Sequence, residues 1–250
     1  MPLIQVEKDS IFYARHQGEG PAIILIHGAG GSRLHWPAAL RRLPGTVYAI
    51  DLPGHGRAGG SGRKRIDQYA AGVVGLMNGL EIEQAVLIGH SMGGAIAQVV
   101  ALSAPRRVLA LVLLATGARL RVAPALLNGL QQNATGAIQL ITQWAWGPNA
   151  APDLVAAAEQ TMLGTDPQVL HDDFAACDQF DVRDQIDGIE APTLILTGTE
   201  DQMTPPRFGQ WLQEHIASAR FQPVEGAGHM LMLEQPGDVA ASIEEFLQQL

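Results

Sequence analysis

Ser91 sits in Gly89-His90-Ser91-Met92-Gly93, a G-x-S-x-G pentapeptide. A serine hydroxyl becomes a useful nucleophile only when a base takes its proton and a third group orients that base. The pentapeptide therefore points to acyl transfer through a serine intermediate, and it calls for a histidine and a carboxylate elsewhere in the chain. An apolar run at 85–88 leads into it, and a run of small residues suited to a closely packed helix follows from Met92. A strand that turns into a helix this abruptly leaves no room at the turn. The central residue must take a strained conformation, and the positions two before and two after it must be nearly free of side chain. Gly89 and Gly93 meet that need, and Gly94 lets the helix approach the sheet. The Ser91 hydroxyl then stands at the carboxyl edge of a sheet, at a helix N-terminus whose free N–H groups favour negative charge. The plain alternative is a glycine-rich strand–helix turn with an incidental serine.

Such a serine needs a scaffold, and the hydrophobic pattern supplies one. Continuous apolar runs at 21–26, 46–50, 85–88, 108–114 and 192–197 suit strands buried on both faces of a parallel sheet. A further strand is expected at 220–224. The first residues, 3–8 and 11–16, alternate around Asp9-Ser10 and read as an antiparallel hairpin at the sheet edge. Helices are expected at 66–80, from Met92 to near Pro105, at 207–216 and at 238–250. Alternating strands and helices imply an α/β protein, a doubly wound, mostly parallel sheet with helices on both faces. Residues 117–188 break the rhythm, with helical patterns at 125–132, 137–146 and 151–163 and no strand-like run. The expected organisation is a core of 1–116 and 189–250 with a helical cap, 117–188, inserted over the carboxyl edge, where a ligand crevice belongs. Trp144 and Trp146 lie in this insert, and with His90 they are the candidate pocket residues.

The pentapeptide in its strand–helix context resembles the nucleophile elbow of the α/β-hydrolase family. Three further segments match that family in the right order. Gly198-Thr-Glu-Asp201-Gln-Met-Thr-Pro205 resembles its acid loop, which implies Asp201 as the acid, with Glu200 as the alternative. Gly226-Ala-Gly-His229 resembles the loop carrying its base, which implies His229; His215, the other histidine downstream of Asp201, falls in a helical pattern. His27-Gly28-Ala29-Gly30-Gly31 resembles its H-G-x-x-G segment. That match implies an oxyanion hole made by the backbone N–H groups of Ala29 and Met92. A nucleotide-binding reading of this loop fails, because Arg33 stands where G-x-G-x-x-G needs its third glycine. Asp51-Leu-Pro-Gly-His-Gly56 resembles another family turn, in which Asp51, His55 and Arg57 would bond neighbouring loops.

The resemblance implies a cofactor-free serine hydrolase of the esterase and lactonase branch, acting on a small-molecule ester or lactone. The leading expectation is a carboxylesterase for small to medium acyl groups. Enol-lactonase, cofactor-free haloperoxidase and meta-cleavage C–C hydrolase are the alternatives; His90 stands where the last group commonly carries asparagine. A hydrolase-like receptor is the non-enzymatic alternative.

Composition narrows the remaining classes. The chain has 250 residues, 47% hydrophobic and 16% charged, enough for a sizeable core. Its net charge of −9 argues against nucleic acid as a partner. The basic run Arg63-Lys64-Arg65 reads as a solvated loop. The one cysteine, Cys177, permits no internal disulfide. No run is long enough to span a bilayer, no signal-peptide pattern opens the chain, and no His/Cys/Asp/Glu cluster has metal-ligand spacing. A cytoplasmic protein without metal or membrane partner is expected, as a monomer or small homo-oligomer. The sequon Asn133-Ala-Thr135 is read as incidental.

Overall fold

The computed structural model describes residues 3–6 and 9–250. Eight strands form one sheet: β1 (Leu3–Val6), β2 (Asp9–His16), β3 (Ala22–Ile26), β4 (Thr46–Asp51), β5 (Ala85–His90), β6 (Val108–Leu114), β7 (Thr193–Gly198) and β8 (Ala219–Val224). Their order is β1-β2-β4-β3-β5-β6-β7-β8. The β1–β2 and β2–β4 pairs are antiparallel and every other pair is parallel. The expected antiparallel pairing is present, but Val6 pairs with Asp9, so Asp9-Ser10 belongs to β2 rather than to the turn; residues 7 and 8 lie outside the described residues.

Five of the helices cover the sheet. α1 (Ala38–Arg41) and α10 (Pro236–Leu247) lie over one face, while α2 (Ile66–Gly79), α3 (Met92–Ser103) and α8 (Pro206–His215) contribute to the core on the other. β3, β5 and β6 are buried on both faces, which is why they read as unbroken apolar runs rather than alternating ones. Between β6 and β7 the chain forms α4 (Pro124–Gln132), α5 (Ala134–Ala145), α6 (Pro152–Leu163) and α7 (Pro167–Gln179), with a small apolar core of their own built on Leu126, Leu130, Ile138, Ile141, Leu170 and Phe174. The short α9 (Leu231–Glu234) follows β8. Asn133, read as an incidental sequon, caps α5: its side chain accepts a hydrogen bond from the Gly136 N–H at 3.2 Å.

Register brings the site together. Ile26 pairs with Gly89, Gly89 with Leu113, Leu114 with Leu196, and Gly198 with Val224. The carboxyl ends of β3, β5, β6, β7 and β8 therefore finish at one edge, and the loops that leave them carry Ala29, Ser91, Asp201 and His229.

Candidate active site

Ser91 joins β5 directly to α3, with φ +53° and ψ −116°. A non-glycine residue there costs about 1–3 kcal/mol and persists only where its surroundings hold it. They do so here: the Ser91 N–H donates to Leu114 O, and the Thr116 hydroxyl donates to Ser91 O, each at 2.9 Å. The flanking glycines are obligatory on distance alone. A Cβ on Gly89 would lie 2.2 Å from Gly93 O, and one on Gly93 would lie 2.0 Å from Ile26 O. Met92 opens α3, so its N–H has no intrahelical acceptor.

Asp201 is buried in the loop after β7. Its Oδ1 accepts the N–H groups of Met203 at 2.8 Å and Thr204 at 2.9 Å. Its Oδ2 accepts the Thr204 hydroxyl at 2.7 Å and lies 2.9 Å from His229 Nδ1. Burial works against the negative charge, but the His229 interaction and the Thr204 bonds outweigh it and hold the carboxyl at about 2. An ionised Asp201 takes the proton-bearing Nδ1 of His229, which leaves Nε2 as the basic nitrogen of that ring. The other acid considered, Glu200, is exposed, and His215 is exposed and stacked on Trp211 at 3.8 Å.

His229 is braced from behind. His90 packs against it with ring centroids 4.8 Å apart, and His90 Nε2 lies 2.9 Å from His229 O. A carbonyl only accepts, so His90 Nε2 carries the hydrogen and Nδ1 is a lone pair. Burial, with His229 beside it, lowers the His90 pKa to about 3, so this imidazole is neutral at physiological pH. The Glu234 carboxylate ties the same loop to the end of α5: Oε1 accepts from Gly228 N–H at 3.0 Å and Oε2 from Gly147 N–H at 2.9 Å.

The loop after β3 is held from below. Leu52 N–H donates to His27 Nε2 at 3.1 Å, so the His27 hydrogen is on Nδ1 and points to Gly28 O at 2.8 Å. The expected bracing by the turn after β4 is present. Asp51 accepts from the Arg33 N–H and guanidinium and from the Arg57 N–H. His55 bonds the α7 residue Asp173 at 2.8 Å.

A cavity of about 90 Å³ opens at this edge, bordered by Ala29, His90, Ser91, Thr204 and His229. Its walls are mostly apolar: Leu120 and Val122 after β6, Ile141 and Ala145 of α5, Met162 of α6, Phe174 and Cys177 of α7, and Met203, Phe208 and Met230. The expectation for the two tryptophans is corrected. α5 meets the cavity through Ile141 and Ala145, neither Trp144 nor Trp146 borders it, and Trp146, just past the helix, packs against the apolar core that includes Leu40 of α1 and Ile243 of α10. The sequence reading did not single out Asp173, Glu234, Thr204 or His35, which also borders the cavity. Thr204, inside the quoted acid loop, was the one within reach.

The sheet order thus brings the strained serine and the paired Asp201–His229 to one edge. Residues 23–242 match the model of the alpha/beta hydrolase family, and the chain belongs to that family, in its esterase and lactonase branch. It is 31% identical to a pimeloyl-[acyl-carrier protein] methyl ester esterase of Neisseria meningitidis, over 90% of this chain and 93% of that one. It is 28% identical to 3-oxoadipate enol-lactonase 2 of Acinetobacter baylyi, over 93% and 90%. Among solved structures it is similar to the enol-lactonase of Burkholderia xenovorans LB400, with a TM-score of 0.93 and 25% identity, over 99% of this chain and 100% of that one.

Proposed function

We propose that the protein is a serine-dependent carboxylic ester hydrolase acting on small to medium acyl esters. The observation that carries this reading is Asp201 paired through His229 Nδ1 on the same cavity as a Ser91 held at positive φ. A binding protein has no use for a strained serine beside an oriented imidazole, since strain persists only where something repays it.

In this reading the Ser91 Oγ attacks the ester carbonyl carbon and His229 Nε2 takes its proton. The N–H groups of Ala29 and Met92 hold the oxyanion of the tetrahedral intermediate. His229 returns the proton to the leaving alcohol, and the acyl group remains on Ser91. Water then attacks the acyl carbon, gives a proton to His229, and the acid departs as Ser91 recovers its hydrogen. Asp201 fixes the tautomer and stabilises the imidazolium. Residues 117–188 act as the cap, and their apolar side chains form the acyl wall. Lactone opening is the second reading, favoured by the likeness to two enol-lactonases; it runs through the same steps with the leaving alcohol tethered to the acyl group.

Turnover of aryl esters and lactones by the purified protein, with Ser91→Ala as control, tests this. An organophosphonate is expected to label Ser91 and no other serine. Activity unchanged in Ser91→Ala, or label at another serine, overturns the assignment.

A further inference from the structure

Asp173, on α7, is a fully buried carboxylate that the Ser91 mechanism does not use. Its Oδ1 accepts the Tyr69 hydroxyl of α2 at 2.5 Å. Its Oδ2 accepts from His55 Nε2 at 2.8 Å and from the backbone N–H of Gly30 at 2.8 Å. One side chain of the inserted helices thus joins α2, the turn after β4 and the loop after β3.

The protonation states follow from the partners. His55 Nδ1 lies 3.1 Å from Pro53 O, which can only accept, and Nε2 faces the carboxylate. Both ring nitrogens therefore carry hydrogen, and His55 is an imidazolium paired with Asp173. The Tyr69 oxygen accepts the Arg63 N–H at 2.8 Å, which leaves the phenol hydrogen for Asp173. Burial lowers the His55 pKa, but the Asp173 charge and hydrogen bond raise it further, so the net direction is upward. A buried pair of this kind is costly to leave with one member missing.

Gly30 is the informative partner. Gly31 N–H donates to Gly28 O at 3.0 Å and closes a four-residue turn with Ala29 and Gly30 at its centre. Gly30 has φ +63°, and a glycine at such a corner lets the Ala29–Gly30 peptide rotate at little steric cost. On one side of Ala29 the Gly28–Ala29 peptide, which carries the Ala29 N–H, is held at Gly28 O by His27 and Gly31. On the other side the described anchor is Asp173 at the Gly30 N–H.

We propose that Asp173 is a positioning residue for the oxyanion hole: by holding the Gly30 N–H it pins the second of the two peptides that flank the Ala29 Cα, so that the loop presenting the Ala29 N–H is seated only when α7 is, and seating of α7 and completion of the oxyanion hole are one event. The proposal rests on the Ser91 hydrolase reading, and the inserted helices then do more than shape an acyl pocket.

The test compares Asp173→Asn with Val73→Ala, a substitution in the buried core of α2. Active sites are titrated to completion with an organophosphonate, so unfolded protein drops out of the rate. Asp173→Asn is expected to lower kcat per titrated site by about tenfold or more, with KM within about threefold. Its Ki for a trifluoromethyl ketone, which forms an oxyanion on Ser91, should rise by the same factor as kcat/KM falls. Val73→Ala should lower Tm and leave kcat per site unchanged. A kcat per site within twofold of wild type, with unchanged ketone affinity, overturns the proposal. Native-state hydrogen exchange on the wild type gives a reading that needs neither a folded variant nor esterase activity. The Gly30 amide should exchange together with the α7 amides as one opening unit. Free exchange of Gly30 while α7 stays protected overturns the latch without touching the Ser91 assignment, and a protected Gly30 in an inactive protein means that the Ser91 reading failed instead.

Discussion

Each oxygen of Asp201 has its own task. Oδ1 takes two backbone N–H groups and fixes the carboxylate to its loop, which frees Oδ2 to serve His229 with Thr204 as its second donor. Asp201→Asn places an amide among donors and favours the wrong tautomer of His229. The expected loss is about 10⁴ in kcat with the fold retained, and Glu200→Gln should cost little; steady-state kinetics on both decide it. The reverse ranking would move the acid to the exposed neighbour. Residues of this kind were legible in the sequence because their loops have short glycine-bounded signatures. Asp173 and Glu234 were not. Each works through backbone N–H groups of segments distant in sequence, Gly30 for one and Gly147 for the other, and no local pattern marks such a bond.

At the scale of elements, the parallel strands read clearly because burial on both faces removes the alternation that would blur them. The helix α7 did not. Asp172 and Asp173 sit mid-helix and are buried among its apolar residues Val169, Leu170, Phe174 and Cys177, so two carboxylates interrupt the apolar stripe that announces a packed helix. The turn between β5 and α3 stores strain that can be measured. Glycine normally lowers stability relative to alanine, but at φ +53° the order should invert: Ser91→Gly is expected to be more stable than Ser91→Ala by about 1 kcal/mol. That corresponds to a Tm difference of roughly 2–4 °C in a chain of this size. Equal or lower stability of the glycine variant would mean that the elbow is unstrained. On α5, Ile141→Ala enlarges the acyl wall and should raise the kcat/KM ratio of hexanoate to acetate esters by roughly three- to tenfold. Trp144→Ala, away from the cavity, should leave the ratio unchanged. A larger change from Trp144→Ala would return that residue to the pocket.

Across the whole molecule, the edge that carries the site also concentrates buried histidines, and these set its response to acid. His27, His35 and His90 are buried, and burial is the largest cause lowering each: His27 well below its ordinary value, His35 to about 4 and His90 to about 3. In the unfolded chain each titrates near 6.5. Below that pH the unfolded chain binds protons that the folded protein refuses, so stability must fall as pH drops. His55 has the opposite sign. Its folded pKa is raised, so its contribution is fully present below about 6.5 and is lost as pH rises through the folded value. At pH 5 it is protonated in both states, so its stabilisation is constant there and adds nothing to the slope. Asp201, held at about 2, contributes above roughly 3.9 and loses that contribution only as pH falls further. The three neutral histidines therefore dominate between pH 6 and 5. Unfolding there should take up about two to three protons, a slope of roughly 3–4 kcal/mol per pH unit, with Glu234, whose carboxyl pKa is raised by burial, acting in the opposite sense at the acid end. Urea unfolding at closely spaced pH values measures that slope directly. His35→Gln should reduce the uptake by about one proton, because glutamine keeps a polar side chain without a titrating site. An unchanged slope in that variant would mean that His35 gains its proton inside the folded protein, with the cavity beside Ser91 open to solvent.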